Sequence, residues 1–112
     1  MGKRHLIDTN VVIDFAAGRL PIGGQTLVVK EIKNQPFISI INRIELLGFP
    51  SVPDTIPEFV DAAKILWHED EVAQKAVFIR KTHRIKLPDA VIAATALVNG
   101  LILLTRNTKD FS

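Results

Sequence analysis

The chain has no cysteine at all. That excludes a disulfide framework and any thiolate metal site, and it leaves a cytoplasmic, reducing location open. Long hydrophobic runs are missing too. Each apolar stretch is interrupted well short of the roughly 18 residues a membrane span requires, and Asp8 cuts the first. No apolar segment with a small-residue cleavage site follows Met1-Gly2-Lys3-Arg4-His5, so no signal peptide is read there. There is no glycine-rich phosphate loop, since Gly23-Gly24 stands alone, and Ser39 lies in no nucleophile elbow. His5, His68 and His83 share no ligand spacing and are given no catalytic role. Aromatic residues make up 6% of the chain, and Trp67 and the six Phe read as core rather than as a base-stacking platform. Charge of one sign is scarce as well: 14 Lys and Arg against 12 Asp and Glu give +2, a mild basic bias with little power to name a partner.

What remains is ample apolar material. Hydrophobic residues are 47% of 112, and the six Gly and six Pro are scattered, so residues 1–112 read as one packed domain without linker or repeat. Leu6-Ile7 reads as a short buried strand feeding a helix that Asp8-Thr9 caps and Gly18 stops. A weaker helix is expected from Pro21 to Gln35, a strand from Pro36 to Ile41, and a short helix from Asn42 to Leu47. Thr55-Ile56-Pro57-Glu58 has capping-box spacing, with Phe59, Ala62, Ala63 and Leu66 following at helical period. Another helix should run from the acids Glu69-Asp70-Glu71 to a basic strip, and a further one from Pro88-Asp89 to Asn99-Gly100. Leu101 to Leu104 is the last apolar strand. Strands alternating with helices imply a three-layer α/β/α sandwich around a central, mainly parallel sheet.

Ligands of such sheets gather at the carboxyl ends of the strands. Asp8 ends the first strand, Glu45 lies one helical turn past the second, Asp89 opens a helix, and Asn107 and Asp110 follow the last strand. Taken singly, each has a plain structural explanation: a helix cap, a first-turn acid, a surface residue, a turn former. Taken together they would repel one another unless a cation shared the site. Oxygen donors without Cys or paired His favour magnesium or manganese, and phosphodiester hydrolysis is the chemistry suited to them. Arg80, Lys81, His83, Arg84 and Lys86, directly ahead of Asp89, read equally as a solvated helix end or as a phosphate-contacting strip.

Four segments carry a resemblance. Leu6-Ile7-Asp8-Thr9-Asn10-Val11-Val12-Ile13-Asp14, Ser39 to Gly48 around Glu45, Leu87 to Ala96 around Asp89, and Leu103 to Phe111 follow in the order of the acidic segments of PIN domains. The match is to the VapC-type ribonuclease toxins of that family; residues 50–86 match only in being helical. The resemblance implies Asp8, Glu45 and Asp89 as metal ligands for Mg2+ or Mn2+; the family's last carboxylate corresponds to Asn107 or to Asp110, and Asp110 is the favoured acidic ligand. Asn10, Thr105 and Asn107 would support them, Asp14 would be exposed or a partner behind them, and Arg84, Lys86, Arg106 and Lys109 would meet RNA phosphates. It also implies an RNA substrate and a small antitoxin partner. Members usually continue past the Asp-Phe pair through a last strand, whereas this sequence stops at Ser112: it is a short member or a truncated one, and if truncated it would leave a sheet edge unpaired, favouring a homodimer or an antitoxin segment over the gap. The competing readings are a degenerate PIN module that binds RNA or protein without cutting, and a haloacid-dehalogenase-like phosphatase. The latter wants an Asp where Asn10 stands.

Overall fold

The computed structural model of the chain describes residues 3–50, 53–67 and 69–106. Its elements run β1 (His5–Ile7), α1 (Thr9–Ala16), α2 (Ile22–Lys33), β2 (Phe37–Ser39), α3 (Ile40–Leu47), α4 (Thr55–Ala62), β3 (Lys64–Leu66), α5 (Asp70–Thr82), α6 (Leu87–Val98) and β4 (Ile102–Leu104). The four strands form one sheet in the order β3-β2-β1-β4, and every pairing is parallel. All carboxyl ends therefore lie on one edge.

Alternation along the strands divides the core. Ile7 and Ile38 face one side, where Val11, Val12, Val28, Leu46, Ile56 and Val60 from α1 to α4 cover them. Leu6 faces the other, packed by Ile92 and Ala96 of α6 with Phe37 and Leu103 beside it. Small side chains on α6 serve both neighbours: Ala90, Ala93 and Ala94 let α5 approach through Val72, Ala76 and Ile79. Burying each large aliphatic side chain in these layers contributes about 1.5–3 kcal/mol. The expected three-layer α/β/α sandwich is the fold observed.

Local differences from the sequence reading have identifiable causes. The second strand is shorter than Pro36–Ile41 because Ser39 caps α3: its Oγ accepts from the Asn42 backbone N–H at 3.1 Å, so the chain turns helical at Ile40. The capping box at Thr55 does not form. Asp54 is already helical in φ and ψ and makes no side-chain cap, and the Pro53 carbonyl takes the Ile56 N–H instead. That helix also ends before Leu66. Ala63 turns extended and Lys64–Leu66 pairs with Phe37–Ser39 as strand β3, since a short apolar run carries no periodicity to separate helix from strand. The last strand is less buried than a fully apolar run suggests: Ile102 is 45% exposed, because β4 lies at a sheet edge among the described residues.

A buried polar cluster ties β1 to α2 at the opposite, amino edge. The Glu31 carboxylate, 2% exposed, receives Arg4 Nε at 2.6 Å and faces His5 Nδ1 at 2.8 Å. Burial alone would push its pKa up; the hydrogen bonds and charges of His5 and Arg4 outweigh that and hold it below the ordinary value of 4.5. Arg4 also donates to the Gln35 carbonyl at 2.7 Å, stabilising that residue in the left-handed region at φ 65°. No helix among the described residues is long and apolar enough to cross a membrane.

Candidate active site at the carboxyl edge of the sheet

The sheet order places a crossover reversal beside β1. The chain leaves β1 toward β2 and β3, then returns to β4 on the other flank. The residues just past β1 and β4 therefore meet at a switch point, where such folds open a crevice. The Asp8 backbone N–H donates to the Leu104 carbonyl at 2.9 Å, which fixes the two strand ends side by side.

A cleft of about 630 Å³ opens there, lined by Asp8, Thr9, Asn10, Glu45 and Asp89 on its polar side. Its apolar wall is Ile13, Ile44, Phe49 and Pro50. Three of the four expected acids thus line one cavity, although they stand on α1's cap, mid-α3 and the first turn of α6. Asp110, Asn107 and Lys109 lie outside the described residues. Asp8 and Asp89 do serve as helix-start acids, as their isolated positions suggest. The two readings coexist, because the positive ends of α1 and α6 converge on the cavity and partly offset the acids there.

Asp8 is 6% exposed and held by neutral donors. Its Oδ1 accepts from the Thr9 N–H at 2.8 Å and from Asn42 Nδ2 at 3.1 Å, and its Oδ2 accepts from Thr105 Oγ1 at 2.7 Å. Glu45 is half-buried, and its Oε1 accepts from Thr9 Oγ1 at 2.6 Å. Thr105 thus donates directly to the Asp8 carboxylate. Asn10 differs: its Oδ1 accepts from the Arg106 backbone N–H at 3.2 Å, anchoring the segment that carries Thr105. Asp14, one turn along α1, pairs with Arg19 at 3.0 Å and with Arg106 at 3.2 Å. Arg106 is 45% exposed in its side chain, and an ion pair so open to water is weak. Arg84 and Lys86 are exposed just ahead of α6.

Two features escaped the sequence reading. Asn42, fully buried, bridges Asp8 and Thr9; the signal was the three-residue spacing Ser39, Asn42, Glu45 along one helix face. Aromatic residues were the other. Trp67 is 60% exposed and Phe49 45% exposed, so neither belongs to the core, and Phe49 stands in the wall of the acidic cleft.

The donor set is hard oxygen throughout, the chemistry magnesium and manganese prefer. Among the described residues, no three acidic or histidine side chains stand close enough to form a ready-made metal cage. Magnesium does not require one, since it keeps several waters and binds through one or two carboxylates. Asp8 Oδ1 has both acceptor positions filled, whereas the Oδ2 hydrogen bond fills one of two.

A parallel three-layer domain with acids gathered at its switch point defines the class. Within it, the chain matches the PIN domain family over residues 5–112. A solved toxin–antitoxin complex from Klebsiella pneumoniae contains a chain 30% identical, with 96% of this chain and 90% of that one covered at a TM-score of 0.75. The FitAcB structure from Neisseria gonorrhoeae is 25% identical, covers 96% and 90%, and gives 0.74. The DNA-bound VapBC structure from Salmonella typhimurium shares the fold at 0.79 with 21% identity, over 98% and 91%. No curated protein matches the chain. The chain belongs to the PIN domain family, and its fold is of the VapC type.

Proposed function

We propose that this PIN domain is a metal-dependent endoribonuclease and the toxin of a toxin–antitoxin pair. The observation that carries the reading is the cleft lined by Asp8, Glu45 and Asp89, with Asp8 anchored to both strand ends of the switch point. Asp8, Glu45 and Asp89 would hold Mg2+ or Mn2+, with Asp110 as a further acidic contributor. Such an ion supplies an activated water and stabilises charge building on the phosphoryl oxygens. The rest is the work of the chain itself. Thr105 and Asn42 fix the Asp8 oxygens, and Asn10 holds the Thr105–Arg106 segment against α1. Arg84, Lys86, Lys109 and Arg106 would meet RNA phosphates, Arg106 leaving Asp14 to do so. The apolar wall at Phe49 offers a face on which an unpaired base can stack.

The relatives' toxin–antitoxin complexes support an antitoxin partner, and with it a cytoplasmic setting. A homodimer belongs to the same proposal and is read by light scattering. The direct test is cleavage of a mixed pool of structured RNAs by the purified chain with magnesium, manganese or EDTA, alongside Asp8→Asn and Asp89→Asn. Metal-dependent cutting lost in both variants is expected. Binding without cutting under every condition would instead establish a module that binds RNA or protein and does no chemistry.

A further inference from the structure

The acids of the cleft come from separate elements and repel one another, so something must set their spacing before any cation arrives. We infer that Asn42 and Thr9 form a one-directional hydrogen-bond relay that positions Asp8 and Glu45 for a shared cation; this rests on the nuclease reading above.

Directionality follows from donor and acceptor counting. Asn42 Oδ1 accepts from the Ser39 backbone N–H and from Ser39 Oγ, both at 2.9 Å. An N–H cannot accept, so the oxygen must face Ser39 and the amide nitrogen must face the cleft. Asn42 Nδ2 then donates to Asp8 Oδ1 at 3.1 Å and to Thr9 Oγ1 at 3.0 Å. Both amide hydrogens and both oxygen lone pairs are used. Thr9 Oγ1 accepts from Asn42, so its single hydrogen goes to Glu45 Oε1, at 2.6 Å. The side-chain donors therefore run one way, from Ser39 Oγ through Asn42 Nδ2 to Thr9 Oγ1, and end on the Asp8 and Glu45 carboxylates.

Polarised chains of this kind strengthen one another where water is excluded, and bonds to ionised acceptors are the stronger ones. Asn42 and Ser39 are both fully buried. The relay also explains why Ser39 begins α3 where it does: the cap that starts the helix is the first donor of the chain that sets Glu45 opposite Asp8. Asn42 and Thr9 act through the acids and are positioning residues.

The test uses the full chain and manganese alone as probe, by titration calorimetry, with unfolding of the metal-free protein measured in parallel. Thr9→Val keeps the shape and removes the hydroxyl; Thr9→Ser keeps the hydroxyl. Removing partners behind metal ligands commonly weakens affinity 10- to 100-fold. Thr9→Val should lose about tenfold in manganese affinity and Thr9→Ser about twofold or less, with kcat for RNA falling in Thr9→Val and KM little changed. Asn42→Ala should lose at least as much, and the Thr9 pair decides the matter if that buried variant does not fold. Lower unfolding stability with wild-type manganese affinity in Thr9→Val would make the network purely structural and overturn the relay. No manganese binding by the wild-type chain would overturn the nuclease reading itself, and the relay with it.

Discussion

Two acidic clusters stand at opposite ends of the strand β1, and they are built differently. At its start, Glu31 is matched by Arg4 and His5 within the chain. Past its end, Asp8 and Glu45 receive hydrogen bonds from Thr9, Asn42 and Thr105, none of them cationic, and neither acid has an ion pair among the described residues. The amino-edge cluster neutralises its own charge and locks α2 onto the sheet. At the carboxyl edge, Asp8 and Glu45 are held in place by uncharged donors among the described residues. Burial alone does not distinguish them, since Glu31 and Asp8 are both nearly inaccessible. The charge of the partners does.

The largest effect should come from the carboxyl edge. Asp8→Asn should lower RNA cleavage by roughly a thousandfold or more, since a catalytic cation supplies several kcal/mol of charge stabilisation. Urea unfolding should show little cost, because one of several mutually repelling charges is removed. A large stability loss with retained cleavage would reverse the comparison. At the neutralised end the pattern inverts. Glu31→Gln leaves Arg4 without its counterion and should cost about 2 kcal/mol in urea unfolding, less than a fully buried pair because Arg4 is partly exposed. Cleavage per folded molecule should be unchanged.

The same pair of proteins gives a pH signature. The folded-state pKa of Glu31 is depressed below 4.5, so its contribution is complete above that value and is lost as the pH falls through the lower folded one. The stability gap between wild type and Glu31→Gln should therefore be open above pH 4.5 and close on the acid side. A gap that closes instead at alkaline pH would contradict the assignment. The smallest effect belongs to the cleft wall: Phe49→Ala should raise KM about fivefold, for roughly 1 kcal/mol of lost stacking, and leave kcat alone. A change in kcat without one in KM would place Phe49 in the chemistry rather than in binding.

The amino-acid order carried the sheet and three acids at its carboxyl edge well, because strand ends followed by Asp8, Glu45 and the Pro88-Asp89 helix start are local patterns. It carried β3 poorly. Lys64-Ile65-Leu66 has nothing that separates a strand from the last turn of α4, and the pairing with Phe37–Ser39 that decides it is non-local. Nothing local marks Glu31 on its weak helix, since its partners Arg4 and His5 lie in sequence positions no periodicity connects. Asn42 was hidden for the opposite reason. Its capping role is local, while the donors it sends to Asp8 and Thr9 appear only when β1 and β2 pair. Phe49 was read as core because composition says nothing about which aromatic side chains the fold leaves facing a cleft.

We propose that the acids past the end of β1 recruit a cation and that the acid beside its start does not. Manganese titration of the wild-type chain, Asp8→Asn and Glu31→Gln, each followed by calorimetry, tests it most directly. Binding in the wild type and in Glu31→Gln, lost in Asp8→Asn, is the predicted result. Equal binding in all three, or loss in Glu31→Gln alone, would contradict it.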